Sequence, residues 1–340
     1  TEAILIVLLV AGSGSLHLVT PIAGGIALLL IIVAFSYRQT IMAYPGGGGA
    51  YIVARDNLGT IPSLVAATPL LISYVLTVAV SMSAGVAAIT SAWHWLDPYR
   101  VEIALVLIAL VSIANLRGVK ESGVIFAAPT YGFIISMFVL IGTGLYNVIT
   151  GQVVPAQPPE IVPFVGETQP IGFFLLLRAF AAGCTALTGV EAISDGVPAF
   201  KKPESHNAAL TLVMMVVILS LMFLGTSVLA AAYHVLPDGS SEPETANSQL
   251  ARAIFGAGSP LYFVLQIATM LILILASNTA YADFPRLSYF LARDRFLPRQ
   301  FTHRGDRLGF SNGILALGVI SGILVVVFGA REQALLPLYA

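Results

Sequence analysis

The chain is poor in charge. Asp, Glu, Lys and Arg together make up 10% of its 340 residues, where soluble domains carry roughly 25%. A water-facing surface for a chain of this length cannot be built from so few. Neither sign is in surplus: 16 basic residues against 17 acidic leave a net charge of −1, so there is no basic face for nucleic acid. A single cysteine, Cys184, excludes an internal disulfide framework and a thiolate metal cluster. The five histidines (His17, His94, His206, His234 and His303) lie scattered near the ends of apolar runs without ligand spacing. The glycine run 46–49, in AYPGGGGAYIVARDNLG, lacks the following Lys-Ser/Thr of a phosphate loop. Its glycines instead permit a tight re-entry and close backbone packing.

What the chain has is apolar surface. Hydrophobic residues make up 57% of it, and the mean hydropathy is +0.91. Windows long enough to cross a bilayer fall at about 20–43, 61–92, 101–116, 123–150, 171–198, 208–233, 259–282 and 310–330. Pro62, Pro129 and Pro260 sit near span starts, where a missing amide donor costs little. The run after Thr1-Glu2 and the closing ALLPLYA read as two partial spans. This predicts an all-α integral membrane protein of about ten helices, residues 1–340 forming one transmembrane unit taken from the middle of a longer chain.

Basic residues set the orientation. If the first partial span exits outward, the inside loops hold Arg38, Arg55, Arg117, Lys120, Lys201, Lys202, Arg286, Arg293, Arg295, Arg299, Arg304 and Arg307. The outside loops hold Arg100, Arg252 and Arg331, and Arg178 falls within a span. Twelve inside against three outside satisfies the positive-inside rule. The loops 151–170 and 234–250 carry acids and no basic residue, in agreement.

An ionisable group at membrane depth costs about 2.5–3.5 kcal/mol on insertion scales and marks function by default. The segment 174–200 holds Cys184-Thr185-Ala186-Leu187-Thr188-Gly189-Val190-Glu191 near mid-membrane. Gly183 and Gly189 weaken the helix there, and a broken helix frees backbone groups to meet a ligand. Thr188 and Glu191, three apart, share a face in a helical turn. A structural carboxyl at 191 is the plainer alternative, but the charge and the unwinding signal coincide. Asp195 reads as solvated near the inner loop, and Cys184 as a small packing residue. Ser73, Thr77 and Ser81, spaced four apart, form a hydroxyl stripe that could coordinate a cation or tie helices together. Asn278 and Thr279 carry the same ambiguity, with packing favoured.

Several segments together resemble the APC superfamily of amino acid–polyamine–organocation transporters: YPGGGGAYIVARDNLG, NLRGVKESG at 115–123, TALTGVEAISDGVPAFKKPESHNA at 185–208, and ASNTAYADFPRLSYFLARDRFLPRQF at 276–301. The last two are similar to the KimA-type branch, proton-coupled bacterial potassium importers. That resemblance implies a LeuT-type five-plus-five inverted repeat with broken helices 1 and 6. It places residues 1–11 in the second half of helix 1 and residues 335–340 at the start of helix 10, with a C-terminal cytosolic domain beyond the chain. Regulation by cyclic di-AMP and a homodimer contact would both belong to that domain. It also implies that Thr188 and Glu191 lie on the ion pathway, with Thr77 and Ser81 on helix 3 and Tyr339 opening helix 10. The family's helix 3 aspartate is replaced here by Ser73.

Two functions follow. In a proton-coupled potassium importer in the cell membrane, Thr188, Thr77 and Ser81 would ligand the ion, with Glu191 as charge partner or proton carrier. In an amino-acid or amine permease, an aromatic on helix 6 would often close over the substrate, yet no aromatic lies between Phe180 and Phe200. The importer is favoured. A membrane enzyme fits least, since no nucleophile lies near a base, and no cofactor is implied.

Overall fold

The computed structural model describes residues 1–9, 13–47, 49–117, 123–156, 172–236, 244–302 and 310–339. The described residues form helices α1 (Glu2–Leu9), α2 (Val19–Ala43), α3 (Gly49–Leu58), α4 (Thr60–Ala92), α5 (Arg100–Leu116), α6 (Gly123–Thr150) and α7 (Phe173–Gly183). After these come α8 (Val190–Asp195), α9 (Glu204–Ala232), α10 (Ala246–Phe255), α11 (Pro260–Arg293), α12 (Ser311–Val327) and α13 (Glu332–Tyr339). Among the described residues, seven helical stretches are long and apolar enough to cross a membrane, and α12 with α13, bent by 118°, makes an eighth when the two are counted as one span. Each expected window overlaps one of these.

Why these residues make bilayer helices is visible on α2. Small and aliphatic residues at Val19, Ala23, Ile26, Leu30 and Ala34 are buried, while Leu28, Ile31, Ile32 and Phe35 face outward. An exposed apolar face of that size is a liability in water and the expected surface in lipid, where small residues let helices approach closely. Serine caps α11, its Oγ accepting from the Leu261 amide at 3.3 Å, and Pro260 occupies the first turn. Pro129 behaves differently from expectation. It lies inside α6, which starts at Gly123, and such prolines are tolerated where neighbouring groups re-satisfy the freed carbonyl.

The core divides into groups. One gathers α3, α4, α5, α11, α12 and α13 around Met82, Tyr281 and Leu317. A second joins α1, α6, α7, α9 and α10 around Ile4, Leu140 and Tyr233. A third packs Val190 of α8 against Leu30 of α2 and Leu212 of α9. Asn115 and Asn278 tie α5 to α11 by a 2.7 Å hydrogen bond, so Asn278 serves packing as expected.

Contacts at both ends agree with the grouping of loops read from charge. Arg55 and Tyr51 of α3 both reach Asp294, Tyr51 at 2.7 Å, which joins two loops assigned to the inside. At the other end Arg252 pairs with Glu244 at 2.8 Å, Arg100 pairs with Asp97, and the Thr245 amide donates to Ser91 at 3.2 Å. In a Cys184→Ser background, Lys201→Cys is expected to react with a membrane-impermeant maleimide only after the inner face is opened. Ala257→Cys should react on intact cells; the opposite pair of results would invert the topology.

Candidate functional site

The segment after α7 is interrupted, and two glycines divide the work. Gly183 ends α7 at a crossing: a Cβ there would lie 2.3 Å from Ile26 Cδ1 and 2.8 Å from Ile4 Cγ1. Its role is close approach to α1 and α2, not the weakening expected of it. The chain then tightens into a 3₁₀ turn at Cys184–Leu187, extends at Thr188 (φ −66°, ψ 144°), and reverses at Gly189 with φ +86° before α8 begins. A left-handed residue costs a non-glycine about 1–2 kcal/mol, so Gly189 makes the break. Cys184 packs half-buried against the second core group.

The break corrects one expectation. Thr188 and Glu191 do not share a helical face, because the backbone leaves the helix between them. Thr188 is exposed, and its hydroxyl donates to the Thr185 carbonyl at 2.7 Å. Glu191 is half-buried in the first turn of α8, with the Gly189 amide and its own amide within hydrogen-bonding reach of the carboxylate. The hydroxyl stripe lies on α4. Ser73 and Thr77 are half-buried and Ser81 is 9% exposed. Tyr339 ends α13, but its side chain lies outside the described residues. Among the described residues, no three His, Cys, Asp or Glu side chains converge closely enough to hold a metal ion.

The inner end of α8 holds what the sequence reading missed. Asp195, expected in solvent, is half-buried. Its Oδ2 accepts from the Tyr74 hydroxyl at 3.2 Å, and its Oδ1 is buried without a hydrogen-bond partner. The glycine loop closes over it. A Cβ on Gly49, where φ is +54°, would fall 1.7 Å from Asp195 Oδ1, and one on Gly47 2.5 Å from the Asp195 carbonyl oxygen. The tight re-entry expected of this run therefore packs it on an acid. Asp283 of α11 is 7% exposed and lines a chamber with Asp195, Tyr74, Tyr51 and Arg286. Arg286 Nη1 donates to the Asp195 carbonyl at 3.2 Å. Tyr74 and Thr77, three apart on one helix face, set the stripe rising from this chamber toward mid-membrane. Further outward, a cavity of about 380 Å³ is lined by Glu2, Ala84, Thr226, Thr269 and Glu332 among others.

Asp283 escaped notice because the hydropathy window closed at 282, while α11 continues to Arg293. The available signal was an acid and a base three residues apart, Asp283 and Arg286, just past the apolar window and on either side of Pro285.

With this geometry established, comparison with known proteins identifies the family. The amino acid permease family model matches residues 3–340. The chain belongs to the amino acid permease family. It is a multi-pass membrane protein. It is 49% identical over 340 residues to the potassium transporter KimA of Bacillus subtilis, covering 100% of this chain and 55% of that protein. It is 25% identical over 207 residues to the low affinity potassium transport system protein Kup of Yersinia enterocolitica, covering 57% of this chain and 32% of that protein. It is 21% identical over 289 residues to the low-affinity putrescine importer PlaP of Escherichia coli K12, covering 83% of this chain and 61% of that protein. The chain thus spans between about a third and three-fifths of these relatives, all of which are transporters and none an enzyme.

The glycines of this permease give a graded test. Gly189→Ala should lower thermal stability in detergent by about 1–2 kcal/mol. Gly49→Ala should cost more, because it also displaces Asp195. Gly142→Ala, with no atom within 4 Å of the added carbon, should be neutral or stabilising. Equal melting curves for all three would reject the reading of the break and the loop.

Proposed function

We propose that this chain is the transport core of a proton-coupled potassium importer working by alternating access. The observation that carries the reading is Glu191, a carboxyl held half-buried at the interruption of a membrane-spanning segment. A carboxylate there attracts a cation and can carry a proton, and the open backbone beside it offers carbonyl oxygens. The 49% identity to a potassium transporter over the whole chain supports the choice of ion.

On this reading Thr188, Thr77 and Ser81 supply oxygen ligands to potassium as it passes Glu191, with Ser73 and Tyr339 flanking the path. Glu191 couples the ion to protons. The fold is the LeuT-type five-plus-five inverted repeat, in which α1 and α7–α8 are the halves of broken helices 1 and 6. The packing of Gly183 on Ile4 supports that pairing. The whole is one transmembrane unit, with a further cytosolic domain carrying regulation and any homodimer contact.

A second reading is an amine permease. The match to a putrescine importer over 83% of the chain and the cavity with two carboxyl residues, Glu2 and Glu332, favour it over an amino-acid permease. A small cationic amine would suit such a lining.

Uptake by the full-length protein in cells lacking their own potassium importers separates the two. Growth at low potassium is expected, undiminished by excess putrescine; competition by putrescine with no growth rescue would favour the amine. Glu191→Gln should abolish proton-coupled uptake with expression intact, and full transport by that variant would remove Glu191 from the mechanism. Thr188→Val should raise the half-saturating potassium concentration about tenfold, the loss of one oxygen contact to a charge.

A further inference from the structure

The chamber at the inner end of α8 is unbalanced in charge and unfilled in hydrogen bonds. It is closed by Ala50 and Tyr51 of α3, Tyr74 of α4, Asp195 of α8, and Asp283 and Arg286 of α11. Two carboxylates face one guanidinium, so one negative charge is left over. Glu191 lies within electrostatic reach of both acids and adds to the same sign. Burying a charge without a partner costs several kcal/mol, so such a group is either neutralised by a proton or balanced by a cation that arrives.

The oxygens are ready to receive it. Asp283 is more than nine-tenths buried and makes no hydrogen bond or ion pair among the described residues. Asp195 Oδ1 also has no hydrogen-bond partner, but it is covered by Gly49 of the loop, so it is Oδ2, beside the Tyr74 hydroxyl, that Asp195 offers to the chamber. The Tyr74 hydroxyl gives its hydrogen to Asp195 Oδ2, which leaves its lone pairs free. The space between these groups is about 20 Å³, enough for one water-sized particle. Arg286 holds the backbone carbonyl of Asp195 and so fixes the acid in place.

The geometry points to a second cation site: Asp195, Asp283 and Tyr74 hold one monovalent cation on the cytoplasmic side of the break. One residual charge and a few oxygen ligands suit a weakly held alkali ion. The ion reaches this site from Glu191, a level further into the membrane, and leaves when α3 lifts from Asp195. The transit step rests on the importer reading; the site itself does not.

The test uses the full-length purified protein and rubidium as the probe. Equilibrium binding of radioactive rubidium is measured for the wild type, Glu191→Gln and Asp283→Asn, alongside rubidium uptake into proteoliposomes. Asp283→Asn is expected to lose one bound ion per chain, or to weaken it about tenfold or more, while Glu191→Gln keeps that ion. Asp195→Asn should repeat the loss, which guards against a folding defect in one variant. Unchanged rubidium binding by both aspartate variants overturns the site. So does a difference of one bound proton, with no difference in bound rubidium, between the wild type and Asp283→Asn. If rubidium binds in an Asp283-dependent way but is never carried into vesicles, the site stands and the importer reading fails.

Discussion

Everything in this fold answers to one constraint: below the membrane surface no water is available to satisfy a backbone group or a carboxylate. A break in a helix and an acid beside it are both expensive, and each needs protein around it. The structure meets the two costs together. The break at Thr188–Gly189 is covered on one side by α2 and α9, whose Leu30 and Leu212 pack on Val190. The acid one turn on, Glu191, lies against the amides the break releases. The last acid of α8, Asp195, is met by a tyrosine from α4, an arginine from α11 and a glycine loop ahead of α3.

That last junction is where separate parts of the fold touch. Tyr74 and Tyr51 belong to the core group built on α4 and α11, and Arg286 is carried on α11, whereas Val190 and Ile41 belong to the group built on α2, α8 and α9. Between them the inner seal is made of one phenol hydrogen bond, one guanidinium contact and a glycine pressed on a carboxylate. An apolar interface would have to expose its whole area to open. The α3 helix is held in addition by Tyr51 and Arg55 on Asp294, which ties it to the end of α11.

Much of the fold was legible because bilayer helices announce themselves by length and by the lack of charge, and both are local properties. Every expected window met a helix for that reason, and the sharing of loops between the two ends needs only the positions of sixteen basic residues. The site was legible in part. Glu191 and the interruption were readable, because an acid and a glycine inside an apolar run are themselves anomalies. The roles of the two glycines were not: either weakens a helix, and only φ at Gly189 and the nearness of Ile26 to Gly183 distinguish breaking from packing. The pairing of Thr188 with Glu191 used helical spacing across a point where the helix was expected to break, so one signal contradicted the other. Asp195 was misplaced because its cover comes from residues about 150 positions away, which no window can see.

On the proposed importer reading, the order of charges along the path would follow from the same constraint. Two acids, Glu2 and Glu332, line the outer cavity, Glu191 stands at the break, and Asp195 with Asp283 stand at the inner end. A single deep carboxylate would trap a cation, because attraction in a medium of low dielectric is strong and has nothing to compete with it. Carboxylates at successive levels let each ion leave one partner for the next, and repulsion between ions at neighbouring levels helps release. Arg286 is then placed where it is needed. On that reading, at the inner end, it would offset part of the negative charge and keep the final hold weak. An unmatched pair of acids at that level would hold the cation at the exit, and a fully matched pair would never receive it.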